Sequence, residues 1–377
     1  MQLSYWERAT YFENIDLLVV GSGIVGLNSA RAIKEKHPDW KVLVIDSGFL
    51  PYGASTRNAG FACYGSLSEL IDDYDTVGEK ALYNLVKKRW DGLNRLRTVL
   101  GDAKIGYEPY GGYEIFRKEE LEIYQNCCDK WMFYNEMLED ITGEKLMYEN
   151  ADASIQSFGF SGVEHLICNR GEGQINTGMM MNSLLNYVRN LGVQLINALS
   201  INSWSKNDDD TISVQTNHDF SFNTNRILFT TNAFAKQLLP ELDVVPGRAQ
   251  VLITQPIENL KVKGSFHLDK GYYYFRNVGD RILFGGGRNL DFEGERTYEF
   301  GLTAQIQETL ESILKSTILP NQKFEVDQRW SGIMGLGPAK NSIVKEISKN
   351  TYCAVRMGGM GVAIGSLIGE EAAEICG

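Results

Sequence analysis

In DLLVVGSGIVGL, residues 16–27, the apolar run LLVV leads straight into Gly21-x-Gly23-x-x-Gly26. A continuous apolar run of this kind suits a parallel strand covered on both faces. The glycines mark a tight turn from that strand into a helix. Gly21 permits the turn, Gly23 lets backbone approach a phosphate, and Gly26 allows close packing of helix on strand. The free N–H groups of the helix N-terminus face an anion there. Downstream, GLNSARAIKEKHPDW reads as the helix, with a stop at His37-Pro38, and KVLVID as a second strand ending in Asp46. Asp46 lies 20 positions after Gly26. A carboxylate at that place accepts hydrogen bonds from both ribose hydroxyls of an adenosine and repels a 2′-phosphate, which disfavours NADP. The motif therefore points to a dinucleotide and leaves NAD and FAD open.

Composition narrows the function classes. A chain of 377 residues fits two domains, or one large domain with insertions. With 43% hydrophobic and 23% charged residues it is globular. The net charge of −11 opposes binding to nucleic-acid phosphates or anionic lipid, so no nucleic-acid partner is expected. Cysteines stand at 63, 127, 128, 168, 353 and 376 without a CxxC pair, and only four histidines accompany them, so no metal site is expected. Free thiols in a reducing cytoplasm are the expectation for the cysteines. MQLSYWERATYFENID lacks the apolar run of a signal peptide. The longest weakly polar run, MGGMGVAIGSLIG (357–369), is far short of the ~20 residues that span a bilayer. The expected location is cytoplasmic, with no membrane span.

Along the chain, helical character covers about 66–100 and 118–140. NTGMMMNSLLNYVRNLGVQLINAL (176–199) reads as helix then strand, and 211–233 as a meander ending in a buried strand. VLITQP, GYYYFR and RILFGGG give an all-strand pattern between 244 and 300, followed by a helix at roughly 302–316. The expected fold class is α/β, a discontinuous Rossmann-like dinucleotide domain plus a substrate domain with a mainly antiparallel sheet and helices. Residues 1–75, 150–235 and 326–377 are assigned to the first, and 76–149 and 236–325 to the second.

Two remote segments favour FAD. SGFLPYGASTRNAGFA (47–62) follows Asp46 where an NAD-binding half would pass to its next element. It offers backbone access at Gly53, Ala54 and Gly60, hydroxyls at Ser55 and Thr56, and the polar groups of Arg57 and Asn58, suited to a pyrophosphate and an isoalloxazine edge. In RMGGMGVAIGSLIGEEAAEI four glycines within 358–365 open a helix whose N-terminus would stabilise the charge that collects on a reduced flavin.

These residues resemble the D-amino-acid oxidase-like (DAO) flavoprotein superfamily, in its glycine oxidase/sarcosine oxidase branch. The resemblance runs over nearly the whole chain, through VGSGIVGLNSA, VLVIDSGFLPYGASTRNAGFA, GEGQINTGMM, RILFTTNAFAKQLLPEL, PGRAQVLITQP, GYYYFRNVGDRILFGGGRN, RWSGIMG and GGMGVAIGSLIGE. It implies FAD extended through the Rossmann-like domain with its ring against the antiparallel sheet. Carried over, cofactor contacts fall on Ile24 and Val25, on Asp46 with Ser47, and on Ala54, Ser55, Ala59, Gly60 and Phe61. Ile201 would reach adenine through its backbone, and Met357, Gly358, Gly359, Met360, Gly361, Val362 and Ala363 would hold the pyrimidine end. Tyr272 matches a substrate-contacting tyrosine. Period-two alternation places Tyr274 and Arg276 on that same face, with Tyr273 and Phe275 behind.

There are two departures from the family. Amino-acid-oxidising members carry an arginine in a GLRP-like segment as a carboxylate clamp. This chain reads GIMG at 332–335, so Met334 takes that place. Arg288 lines up with a substrate-side position and offers another route to a carboxylate. No cysteine lies between 329 and 352, and non-covalent FAD is expected. The resemblance implies oxidation of a small amine or amino-acid derivative by hydride transfer to the flavin, with oxygen or another electron acceptor. Three alternatives stand beside it: a 2-hydroxy-acid dehydrogenase of the same superfamily, a non-catalytic flavin-binding protein, and an NAD-dependent dehydrogenase.

Overall fold

Alternation inside the first strand sets up the layering. A computed structural model describes residues 2–377, and in it Leu17–Val20 is wholly buried. Leu17 and Val19 join the apolar cluster beneath the helices Ile24–Lys36, Thr177–Asn190 and Gly361–Cys376. Leu18 and Val20 join a second cluster on the opposite face, with Ile212, Val214, Phe220 and Phe222. The same split divides Val42–Ile45 into Val42 and Val44 against Leu43 and Ile45. Successive side chains of a strand point to opposite faces, so a run of four apolar residues serves two cores at once.

The strands of this six-stranded sheet lie in the order Ile343–Ser348, Thr351–Val355, Ile227–Phe229, Leu17–Val20, Val42–Ile45, Gln194–Ile196. All neighbours are parallel except the first pair. Pieces from the start, middle and end of the chain therefore build one Rossmann-like layer. A three-stranded meander, Ile201–Lys206, Ile212–Thr216 and Ser221–Thr224, covers its second face.

The other layer is an eight-stranded sheet in the order Val326–Leu336, Val245–Thr254, Arg281–Gly286, Tyr273–Val278, Ser265–Leu268, Gly112–Arg117, Val163–Asn169, Tyr148–Asn150. It is antiparallel except where Ser265–Leu268 runs parallel to Gly112–Arg117. Sheet membership departs from the expected boundaries at two places. Val326–Leu336 pairs along its length with Val245–Thr254, and Tyr148–Asn150 and Val163–Asn169 pair within the same sheet. Val326–Leu336 and Val163–Asn169 fall in ranges expected on the cofactor side, and Tyr148–Asn150 straddles a boundary. These strands are long or flanked by other antiparallel strands, and it is pairing, which local pattern does not carry, that fixes their sheet.

The helices Leu67–Val77 and Glu79–Leu100, split by Gly78 in a left-handed conformation, lie between the layers. The second is seated on the C-terminal helix. A Cβ at Gly92 would fall 2.2 Å from the carbonyl oxygen of Ala363, and the Ser366 hydroxyl donates to the Gly92 carbonyl at 2.6 Å. All six cysteines are unpaired. No helix among the described residues is long and apolar enough to cross a membrane.

Candidate active site

The glycine turn is held from three sides. Gly21 sits at φ +108°, a conformation glycine alone adopts readily. Gly26 is jammed against it, since a Cβ there would meet the Gly21 oxygen at 2.0 Å and Thr230 Oγ1 at 2.6 Å. The Thr230 hydroxyl donates to the Val20 and Gly21 carbonyls at 2.9 and 3.0 Å, tying the next strand's end to the turn. Asp46 closes the other side. Ser22 donates to Asp46 Oδ2 through both its N–H (2.8 Å) and its hydroxyl (2.7 Å), and the Gly48 N–H donates to Oδ1 at 2.8 Å. A carboxylate presents about four acceptor sites, so Asp46 keeps capacity for another donor. Ser47 beside it is exposed. Ile201 opens the meander, buried, just past Leu199, whose N–H donates to the Asp46 carbonyl at 2.9 Å.

The helix Ile24–Lys36 begins at Gly23, which has no side chain to cap it, and the Ile24 N–H is met by the Ser55 hydroxyl at 2.9 Å. Val25 follows in the buried first turn. Residues Ala54–Arg57 form a single helical turn, after which Asn58 turns the chain. The Asn58 amide oxygen accepts from the Gly60 N–H at 2.8 Å and the Thr177 hydroxyl at 3.0 Å. Its NH₂ donates to the Ala54 and Ser55 carbonyls at 3.1 and 3.0 Å. Thr56 donates to the Pro51 carbonyl at 2.6 Å. Asn58 and Thr56 therefore brace the loop rather than project from it.

Arg57 is turned toward the neighbouring sheet. Its guanidinium carbon lies 4.0 Å from the Tyr52 ring centre and 4.6 Å from that of Phe300, and Nη1 donates to the Ser331 carbonyl at 2.7 Å. In return the Trp330 indole N–H donates to the Arg57 carbonyl at 2.9 Å. Arg57→Ala should therefore destabilise the protein by about 2 kcal/mol through the lost charged hydrogen bond and stacking, and Arg57→Lys should recover only part of it. Thermal unfolding of the two variants checks this; an unchanged Tm for Arg57→Ala would refute it.

Beyond the loop, Ala59 and Gly60 are buried, with Gly60 against the eight-stranded sheet. A Cβ at Gly60 would lie 2.5 Å from the Ile175 oxygen and 2.8 Å from Arg276 Nη2. The Phe61 ring meets His267 and Tyr274 edge-on, at centroid distances of 5.2 and 5.6 Å. His267 and Tyr274 are register partners on adjacent strands. Tyr273 and Phe275 lie behind in the apolar core, as alternation requires. Arg276 donates to the Ile175 carbonyl at 2.9 Å, while its Nε is buried without a partner. Burial pushes its pKa down to about 10 and pushes the Tyr274 phenol up to about 12.

Tyr272 departs from the expected placement. The strand starts at Tyr273, and Tyr272 belongs to the hairpin end, 41% exposed, with its ring 6.0 Å from Phe292. Asp269, Lys270 and Gly271 all have positive φ just before it, which breaks the alternation assumed for GYYYFR. Arg288 joins this outer group, its guanidinium 4.7 Å from the Phe292 ring centre. Met334 is opposite Gly247 on the sheet's first two strands. The structure thus separates an inner set (Phe61, His267, Tyr274, Arg276) from an outer one (Tyr272, Arg288, Phe292).

The tail loop is pinned by a residue that carries no signal in the sequence. Asn232, at φ +51°, accepts with its amide oxygen from the N–H groups of Arg356 (3.0 Å) and Met357 (3.3 Å). The Gly358 N–H donates to the Gly335 carbonyl at 3.0 Å. Gly359 and Met360 complete the turn, and the helix Gly361–Cys376 starts with Gly361, Val362 and Ala363, its N-cap Met360 supplying no side-chain acceptor. His267 and Glu69 likewise escape a sequence reading: a lone histidine in SFHL and a carboxylate in SELIDD carry no motif.

A flavin dinucleotide fits this donor set. Two helix N-termini whose N-cap residues offer no side-chain acceptor, the turn at Gly21 and the carboxylate at Asp46 offer complementary charge to a pyrophosphate and a ribose. The unpartnered Thr231 hydroxyl beside Thr230 and the unpartnered Arg276 Nε add polar atoms awaiting a ligand.

Comparison with known proteins agrees. The family described as "DAO: FAD dependent oxidoreductase" matches residues 16–375. A probable oxidoreductase, OrdL, of Haemophilus influenzae is 22% identical over 97% of this chain and 83% of its own. Among solved structures, L-proline dehydrogenase from P. horikoshii superposes with a TM-score of 0.75 at 17% identity, covering 96% of this chain and 93% of that one. Glycine oxidase from Bacillus cereus gives 0.74 at 15%, covering 96% and 94%.

Proposed function

The chain belongs to the DAO family of FAD-dependent oxidoreductases, and from that premise we propose that it oxidises a small amine or amino-acid derivative at its CH–NH group. The observation that carries the reading is the inner set: His267 and Tyr274 of the eight-stranded sheet meet Phe61 edge to face, and Arg276 lies against Gly60 of the same loop. Structural neighbours whose names concern proline and glycine fit an amine substrate.

In this reading Gly21, Gly23, Ile24, Val25 and Gly26 serve the pyrophosphate, Asp46 and Ser47 the ribose, and Ile201 the adenine. Ala54, Ser55, Ala59, Gly60 and Phe61 line the way to the ring, with Thr56, Arg57 and Asn58 shaping their loop. Met357 to Ala363 would offer the helix N–H groups to the charge that a bound flavin collects on reduction. FAD is held non-covalently, since Cys353 is enclosed in the core and burial pushes its thiol up to about 11. When bound, FAD supplies the acceptor for a hydride from the substrate's α-carbon, after which the imine hydrolyses and electrons pass to oxygen or another acceptor.

The protein's part is position and proton handling. Burial lowers the His267 pKa from its usual 6.5, with Glu69 opposing, so the imidazole is neutral at neutral pH and able to take a proton from an ammonium substrate. Tyr274 stays protonated and can donate a hydrogen bond. With Met334 in the clamp position, a substrate carboxylate falls to Arg288, which has no carboxylate partner among the described residues. The six unpaired cysteines suit a reducing cytoplasm.

The purified protein should show flavin absorption that bleaches anaerobically with primary or secondary amines, or with amino acids, and not with 2-hydroxy acids. Bleaching by hydroxy acids alone would overturn the amine reading. Failure of every compound would leave a flavin-binding protein without this activity.

A further inference from the structure

Beside His267 lies a narrow cavity of about 10 Å³, lined among others by Ser66, Glu114, Asn169, Glu172 and His267. Three of those residues bring a side-chain atom with no partner in the protein: Ser66 Oγ, Asn169 Nδ2 and His267 Nε2. The residues are 5%, 3% and 8% exposed. About one probe sphere of volume with several polar neighbours holds one water, and buried polar atoms are seldom left unpaired.

Two carboxylates line the same cavity. Glu172 accepts from the Tyr64 and Gly65 N–H groups at 3.0 and 3.1 Å, and Glu114 accepts from the N–H (3.1 Å) and hydroxyl of Ser68. Neither has a cationic side chain within ion-pair distance among the described residues. Gly112 is forced by this arrangement, since a Cβ there would fall 2.0 Å from Glu172 Oε2. His267 looks two ways. Its Nδ1 is on the side of Gly271 and Glu69, 3.8 Å from where a Gly271 Cβ would stand, while its ring edge meets Phe61.

We propose that a water in this cavity joins His267 Nε2 to Glu172 and Glu114, making a buried proton store behind the substrate face. The proposal rests on the amine reading above for its use in turnover. An ammonium substrate gives its N–H proton to His267 Nδ1, and the Nε2 proton passes to the water. The water passes one of its own to an oxygen of whichever of Glu114 and Glu172 is ionised, which becomes a carboxylic acid. One N–H bond breaks and one O–H bond forms, the substrate amine keeps its lone pair, and no electrons are transferred.

Charge around the cavity is compatible with such a store. From the helix Leu67–Val77 come Glu69 and Asp73, and from Glu79–Leu100 comes Arg89, whose Nη2 is 4.0 Å from Asp73. Lys340 reaches over them, 2.6 Å from Asp73 and 3.5 Å from Glu69. Cys63, Tyr64, Tyr113 and Tyr148, also nearby, are all held neutral by burial. Burial, with Glu69 adding to it, pushes Glu114 up to about 7, and burial with Glu69 and Glu114 adding to it pushes Glu172 up to about 8. Near neutrality the pair is therefore partly protonated, and its ionised member can take up a proton.

The test uses the FAD-loaded protein. Infrared difference spectra taken across neutral pH should show a protonated-carboxylic-acid C=O band that disappears as pH rises, shifts in D₂O, and is diminished in both Glu172→Gln and Glu114→Gln. With a reducing amine, the pH dependence of flavin reduction should move by about one pH unit in Glu172→Gln, a tenfold change in the proton equilibrium. A purely structural role would leave that profile in place. Absence of the band in the unaltered protein would overturn the store, whether or not the variants fold. If no amine reduces the flavin but the band titrates, the amine reading fails and the store stands. If amines reduce the flavin and the band is absent, the store fails and the amine reading stands.

Discussion

Gly26→Ala is expected to abolish retention of FAD and to leave most of the protein unfolded. The added methyl has nowhere to go. It would stand 2.0 Å from the Gly21 carbonyl oxygen and 2.6 Å from Thr230 Oγ1. That oxygen and that hydroxyl are bonded to each other at 3.0 Å, and Thr230 also holds the Val20 carbonyl at 2.9 Å. Relief therefore requires moving the helix Ile24–Lys36 off two strands at once. Overpacking a well-filled interior typically costs about 1–3 kcal/mol, and more where backbone itself is struck. Lost strand-end hydrogen bonds add about 1 kcal/mol each. The total is a large part of a domain's usual margin of about 5–15 kcal/mol. Gly178→Ala is the control, since Gly178 lies inside the helix Thr177–Asn190 and an added Cβ would meet nothing nearer than Asn176 Oδ1 at 3.4 Å. It should keep both Tm and flavin content. A Gly26→Ala protein with normal flavin content would refute the close-packing argument.

The second large effect concerns pH. The buried carboxylates Glu114 and Glu172 hold their protons up to about 7 and about 8, whereas in the unfolded chain they release them near 4.5. Between those values the native state binds more protons than the unfolded one, so stability falls as pH rises through the window. Each tenfold difference in proton affinity between the two states corresponds to about 1.4 kcal/mol, so the expected loss between about pH 5 and about pH 9 is of the order of a few kcal/mol. Tm should fall by several degrees over that range. Glu172→Gln keeps an acceptor for the Tyr64 and Gly65 N–H groups but has no proton to lose, and its Tm should decline less steeply. His267 limits the other end: its pKa is lowered in the fold, so stability also falls as acid protonates it. A flat Tm from mildly acidic to alkaline pH, or a Glu172→Gln slope equal to that of the unaltered protein, would contradict this assignment.

What can be read from the sequence follows from periodicity and glycine spacing. LLVV, VLVI and the turn between them are local signals, and their dual-face burial is implicit in four consecutive apolar residues. GYEIFR and VEHLICN do not announce themselves as strands, because Glu114 and Asn169 interrupt their apolar pattern. Those interruptions are tolerable only because Ser68 and Tyr64, 46 and 105 positions away, bond to them. RWSGIMG pairs in the other layer from the one its place in the chain implies, for a similar reason, since a strand's sheet is decided by its partner. At the site, Arg57 and Asn58 have the composition of a ligand loop yet hold the loop in place. His267 has no flanking motif, and its place facing Phe61 comes only from the pairing of two strands.

The strand order of the cofactor sheet also bears on how the protein comes into being. Leu17–Val20 is made first, but its neighbour Ile227–Phe229 follows some 210 residues later, and Thr351–Val355 and the last helix later still. At a synthesis rate of ~5–20 residues per second, the interval is of the order of tens of seconds. Throughout it the nascent chain carries LLVV and VLVI with an open parallel edge and uncovered apolar faces, the state most prone to mispairing. The Rossmann-like layer cannot close until those later pieces have been made. A chaperone that shields the emerging amino-terminal segment through that interval would thus raise the yield of correctly assembled protein.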